Sequence, residues 1–174
     1  RYMNPAIREN TRRGRRTIRR ACVLALACVG ATLTPAGIAR GDSPQGAIVT
    51  WGYNDYGQTN VPAPNTGFVA VAAGNYHSLG LKADGSIVGW GRNYEGQTNV
   101  PAPNMSFIAV SAGGFHSLGL KANGSIVAWG RNDFGQTNVP APNTGFVAVS
   151  AGNRHSLGLK VDGSIAAWGW NDFG

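Results

Sequence analysis

Three histidines, His77, His116 and His155, stand 39 residues apart. Imidazole is the commonest metal ligand and a frequent general base. A metal site needs three or four donors converging within about 2.0–2.3 Å of the ion. No cysteine or second histidine accompanies any of the three, so each reads as one structural position repeated. Catalysis finds no other foothold. The chain contains no Gly-x-Ser-x-Gly, His-Glu-x-x-His or phosphate-loop pattern. Asn132-Asp133-Phe134-Gly135 lacks the spaced carboxylates of a calcium loop. Asp84 and Asp162, replaced by Asn123 in the middle unit, belong to turns. These residues point to a protein that is not an enzyme and holds no metal or cofactor.

The side chains suited to recognition are aromatic rings and arginines, and they cluster at two places in a repeated pattern. Within Trp-Gly-x-Asn-x-x-Gly, successive copies carry Tyr53, Asp55 and Tyr56; Arg92, Tyr94 and Glu95; Arg131, Asp133 and Phe134; and Trp170, Asp172 and Phe173. Within Ala-Gly-x-x-His-Ser they carry Asn75-Tyr76, Gly114-Phe115 and Asn153-Arg154. Most other variable columns change conservatively, as Val/Ile, Ala/Ser or Asp/Asn. Tyr, Trp, Phe and Arg are the types enriched in binding hot spots. Drift in a tolerant surface loop would more often bring Ser, Lys or Gly.

The elements that position these residues follow from the period. Trp51, Trp90, Trp129 and Trp168 mark units 51–89, 90–128 and 129–167 and a partial unit 168–174. A repeat of this length fits a propeller blade or a solenoid unit. Alternating short runs, with no helical spacing, select strands. Phe68 to Ala73 reads as strand A, His77 to Lys82 as strand B and Ser86 to Trp90 as strand C. Asp84-Gly85, Asn123-Gly124 and Asp162-Gly163 predict type I′ hairpin turns between B and C. A fourth strand, D, is expected at Gln58 to Val61, before Pro62-Ala63-Pro64. Ala47 to Trp51 reads as a strand C with no A and B before it. The tryptophan at the end of each strand C reads as a packing residue. Gly80, in the middle of strand B, predicts a close backbone approach. The fold class is all-β: a β-propeller of four-stranded antiparallel blades. In such a blade the A–B and C–D connections emerge on one face. Both variable loops then share a surface comprising Tyr53, Asp55, Tyr56, Tyr76, Arg92, Tyr94, Glu95, Phe115, Arg131, Asp133, Phe134, Arg154 and Trp170.

His77-Ser78-Leu79-Gly80-Leu81-Lys82, Asp84-Gly85-Ser86-Ile87, Trp90-Gly91-Arg92-Asn93 and Gly96-Gln97 together resemble the regulator of chromosome condensation repeat, in its short bacterial form. The resemblance covers residues 46–174. It implies a β-propeller, usually seven-bladed, that serves protein–protein contact. Members include a nucleotide exchange factor, a plant light receptor and a secreted inhibitor of β-lactamase. About three blades of an expected seven are present, which implies a fragment of a longer propeller. Open blade faces and strand edges invite self-association.

Charge divides the chain. Residues 1–40 carry nine arginines and one acid, net +8, whereas residues 41–174 carry six bases and seven acids, net −1. The repeat region thus lacks the basic footprint of a nucleic-acid binder. Residues 1–39 read as a secretory signal: a basic stretch from Arg12 to Arg20, an uncharged, mostly apolar stretch from Ala21 to Ala39, and small residues at Gly37-Ile38-Ala39 or Thr34-Pro35-Ala36. The alternative is a transmembrane anchor, which Gly30, Pro35 and Gly37 dilute. Cys22 and Cys28 both fall inside that segment, so the mature chain has no disulfide. Residues 40–46 form a short linker and 47–174 the partial propeller. The expectation is a secreted, periplasmic or cell-surface bacterial protein, free of the membrane once the signal is cleaved. Its partner is a protein or a glycan, bound through the A–B/C–D face. The alternatives are a secreted enzyme inhibitor, or a structural spacer in a larger surface protein.

Overall fold

The computed structural model describes residues 46–172. The expected signal, residues 1–39, and residues 40–45 of the linker lie outside them, as do Phe173 and Gly174. The described strands form three antiparallel sheets. The first contains β1 (Phe68–Ala73), β2 (His77–Lys82) and β3 (Ile87–Gly91). The second contains β4 (Phe107–Ala112), β5 (His116–Lys121) and β6 (Ile126–Gly130). The third contains β7 (Phe146–Ala151), β8 (His155–Lys160) and β9 (Ile165–Gly169). Strands A and B lie where the alternation places them, and strand C begins one residue later.

The B–C turns differ from the expected type I′ geometry. Lys82, Ala83, Asp84 and Gly85 form a turn closed by Gly85 N–H donating to the Lys82 carbonyl at 2.9 Å. Only Gly85 has positive φ, at 80°. The Lys82 N–H donates to the Ser86 carbonyl at 2.8 Å, which completes a three-residue loop with glycine in the left-handed position. The Asp84 Oδ1 accepts from the Ser86 N–H and hydroxyl at 2.9 and 2.6 Å. These bonds lower the Asp84 pKa.

The predicted strand D is absent, and each blade has three strands. Gln58 to Val61 is turn and irregular chain. Side chains hold this segment. The Ser78 hydroxyl and Trp90 Nε1 both donate to the Gln58 carbonyl, at 2.9 and 2.8 Å. An asparagine beyond the prolines then substitutes for the missing ladder. Asn143 Oδ1 accepts from Ile126 N–H at 2.7 Å, and its Nδ2 donates to the Ile126 carbonyl at 2.8 Å. Asn104 does the same for Ile87, and Asn65 for Ile48. Removing the amide orphans both a donor and an acceptor at a residue that is 2% exposed. Asn143→Ala is therefore expected to cost about 2 kcal/mol or more, as read by denaturant unfolding. A loss under about 0.5 kcal/mol, the range of an ordinary surface substitution, would show that water replaces the amide.

Ala47 to Trp51 is not a strand either. Only Gly46 forms a bridge, to Phe68. Strand C pairs with strand B of its own sheet. Trp51 is 85% exposed, whereas Trp90 and Trp129 are 7% and 6% exposed. The latter two have the predicted packing role.

The core lies between blades. Leu79, Leu81 and Ile87 of the first sheet pack with Phe107 and Trp129 of the second. Leu118, Leu120 and Ile126 of the second pack with Phe146 of the third. Each junction also carries a buried polar chain. His77 Nε2 lies 2.9 Å from Ser117 Oγ, and that hydroxyl donates to the Gln97 carbonyl at 2.8 Å. His116, Ser156 and Gln136 repeat the arrangement. The mid-strand glycines are also close-packed, but against a ring rather than backbone. A Cβ on Gly119 would meet the Phe107 ring at 2.6 Å.

Candidate binding face

The antiparallel order brings the A–B and C–D loops to the same face. The A–B loops contribute residues 74–76, 113–115 and 152–154, and the C–D loops follow β3, β6 and β9. Backbone bonds tie the two kinds of loop together. The Arg92 N–H donates to the Tyr76 carbonyl at 2.8 Å, that of Arg131 to Phe115 at 2.9 Å, and that of Trp170 to Arg154 at 3.0 Å. Gly91, Gly130 and Gly169 have φ of 95–106°. A Cβ there would meet the facing carbonyl of Tyr76, Phe115 or Arg154 at 2.7 Å. Glycine is therefore what lets each pair of loops close.

The side chains on this frame make a connected array. Tyr56 stacks edge-on against Tyr76 at 5.2 Å and Tyr94 at 6.4 Å, and Tyr53 lies 6.3 Å from Tyr56. Tyr76 is 5.6 Å from Phe115. Beyond this cluster, cations and rings alternate. Arg92 lies 4.7 Å from the Phe115 centroid and Arg131 5.7 Å from the same ring. Arg131 and Arg154 share Phe134, at 5.9 and 5.0 Å, and Arg154 continues to Trp170 at 5.3 Å. Contacts of this kind are worth about 0.5–2 kcal/mol each, more as water is excluded. They fix long arginine side chains before any partner arrives.

Of the thirteen candidate residues, the rings and arginines all join this array. Asp133 joins through an ion pair with Arg131 at 2.6 Å. Asp55, beside Tyr53, raises the tyrosine pKa. Glu95 is exposed and its side chain pairs with none of the others. Tyr53, Tyr56 and Tyr94 are exposed, whereas Tyr76, Arg92, Phe115, Arg131, Phe134, Arg154 and Trp170 are half-buried. Sequence reasoning missed Gln97 and Gln136. Their side chains accept from the Glu95 and Phe134 N–H groups at 3.0 and 2.9 Å and set the loop shape. The invariant Gly-Gln pair of the repeat was the available signal. Among the described residues no group of three or more His, Cys, Asp and Glu could hold a metal.

Repeated antiparallel blades, packed face to face with their variable loops on one side, define a β-propeller. Comparison with known proteins gives the family. The regulator of chromosome condensation (RCC1) repeat matches at residues 68–97, 107–136 and 146–174, and the chain belongs to that family. No curated protein sequence matches it. Among solved structures it is similar to Prp20p from Saccharomyces cerevisiae, described with its binding to Gsp1p and histones, at 24% identity and TM-score 0.54, over 60% of this chain and 31% of that one. The yeast protein bound to Kap60 matches at 22% identity and TM-score 0.58, over 68% and 38% of the two chains. The ectodomain of the Physcomitrella patens receptor kinase CR4 matches at 29% identity and TM-score 0.58, over 69% and 33%. The chain thus spans only about a third of the length of these proteins.

Proposed function

We propose that this protein is an exported, non-catalytic binding module whose A–B/C–D loop face engages a protein surface. One observation carries the reading: rings and guanidiniums from four successive loop copies join into one partly exposed array, while the opposite B–C turns repeat one geometry. Rigid aromatic anchors flanked by arginine are what interface hot spots are made of. Prp20, of the same fold, is described with protein partners. Export rests on the composition of residues 1–39, and the N-terminus of the mature chain tests it.

A photo-crosslinking residue in place of Tyr94 is expected to give a discrete protein adduct, and one at Ala122 in a B–C turn is expected to give none. Alanine at Tyr94, Arg131 or Phe134 should then weaken that complex by about 1–3 kcal/mol each. Equal adducts from both faces, or a glycan as the captured species, would overturn the assignment.

A further inference from the structure

Two cations of the array, Arg92 and Arg154, have no carboxylate partner among the described residues, and the repeat singles out Arg92. In the third copy Arg131 pairs with Asp133, two residues on, through Nε and Nη2 at 2.6 Å. Three of the four copies carry aspartate at that position: Asp55, Asp133 and Asp172. The second copy carries Tyr94, whose ring lies 4.8 Å from the Arg92 guanidinium. Arg92 is further enclosed by Tyr56, Tyr76 and Phe115, at 5.6, 5.7 and 4.7 Å. Its Nε is buried and has no hydrogen-bond partner, and it makes no ion pair among the described residues. No acid serves it among the described residues: Asp133 is paired with Arg131, and neither Asp55 nor Glu95 forms an ion pair with it. A guanidinium held among rings is desolvated at its faces, while its planar fork still offers paired donors suited to a carboxylate.

We infer that Arg92 is the anchor for an aspartate or glutamate side chain of the partner protein, and that Tyr94 stands where a self-satisfying aspartate would close the site. The inference rests on the binding-face reading and narrows it to an acidic segment. The neighbouring cations support the assignment. Their distances from shared rings keep successive guanidinium carbons within about 11 Å along the row from Arg92 through Arg131 to Arg154, roughly one screening length. Only the middle one is paired within the described chain.

The test uses the full 15N-labelled chain and two synthetic peptides, one alternating Glu with Tyr and the other Gln with Tyr. Arg92 Nε–H is expected to shift with the glutamate peptide, which should bind about tenfold more tightly than its glutamine twin, as a charge-assisted bond requires. Tyr94→Ala should retain that preference, because Arg92 stays vacant. Tyr94→Asp should abolish it, because the new carboxylate occupies the fork. Tyr94 is 77% exposed, so neither change threatens the fold. Equal binding of the two peptides, no response at Arg92, survival of the preference in Tyr94→Asp, or a stronger response to a phosphotyrosine peptide would each overturn the inference. If Phe134→Ala weakens the two peptides equally while no glutamate preference exists, the face reading stands and the carboxylate site alone fails.

Discussion

Lowering the pH from 7 to 4 is expected to remove about 2–3 kcal/mol of stability for each of His77 and His116, a large part of the usual 5–15 kcal/mol margin. Both imidazoles are fully buried at blade junctions. The Ser117 hydroxyl spends its proton on the Gln97 carbonyl, so toward His77 it can only accept. His77 is therefore the neutral Nε2–H form, and its Nδ1 has no partner. A second proton would sit on Nδ1 with no acceptor. Burial, and next the facing His116, lowers the His77 pKa from 6.5 to about 4. Burial and then His155 do the same for His116. No carboxylate or lysine contributes to either shift.

The sign follows. Between the folded value near 4 and the unfolded 6.5, the unfolded chain binds more protons, so acid favours unfolding. The histidine contribution is complete above about pH 7 and declines as the pH falls through the window to 4. The lowered Asp84 and Asp162 groups act below that window. Guanidinium melts at pH 7.5, 5.5 and 4 would measure the slope. His77→Gln/His116→Gln keeps a donor toward each serine and should flatten it. A wild-type profile already flat over this range would mean that the imidazoles are not held neutral.

Gly119→Ala is expected to cost at least 1–3 kcal/mol, the range for forcing one carbon into a packed core. Gly119 lies mid-strand in β5 and is buried. Its missing Cβ is the space taken by the Phe107 ring, with the Ile87 Cδ1 at 3.2 Å from the same point. Phe107 is 3% exposed and belongs to the core between the first two blades, so it cannot swing into solvent. A methyl group must move either the ring or the blade behind it. Phe107→Leu, which has no atom where the ring edge lies, should recover part of the loss in the double variant. That non-additivity is the diagnostic result. A single-variant effect under about 0.5 kcal/mol, the range of ordinary surface positions, would show that the junction yields without strain.

The strands were legible where hydrophobic alternation decides them. Phe68–Ala73 and His77–Lys82 form and pair where they were expected, and His77, Leu79 and Leu81 of the second are buried. The sequence misled where side chains do the work of backbone. Strand D was expected because Gln58 to Val61 runs up to the prolines, a position that suits an edge strand. In fact Ser78, Trp90 and the asparagines capture its carbonyls and its neighbours, a pattern with no alternation signature. Asp84-Gly85 signalled a hairpin correctly, but loop length, not the dipeptide, selected the turn. The histidines were rightly read as one position repeated. Their bond to a serine 40 residues ahead was invisible because it crosses a junction. That the A–B and C–D loops share a face was legible, because the antiparallel order of the strands fixes it. The alternation of Arg92, Phe115, Arg131, Phe134 and Arg154 was not, because it interleaves loops distant in the chain.

The histidine-to-serine join couples each blade only to the next one along. Across the described blades the coupling is therefore between neighbours, as in a one-dimensional lattice of sites and bonds between adjacent sites. Each further 39-residue unit brings its own histidine and serine, and with them one further join of the same kind. The junction is thus held by constant residues in the strands, while the loop residues beside it differ from copy to copy.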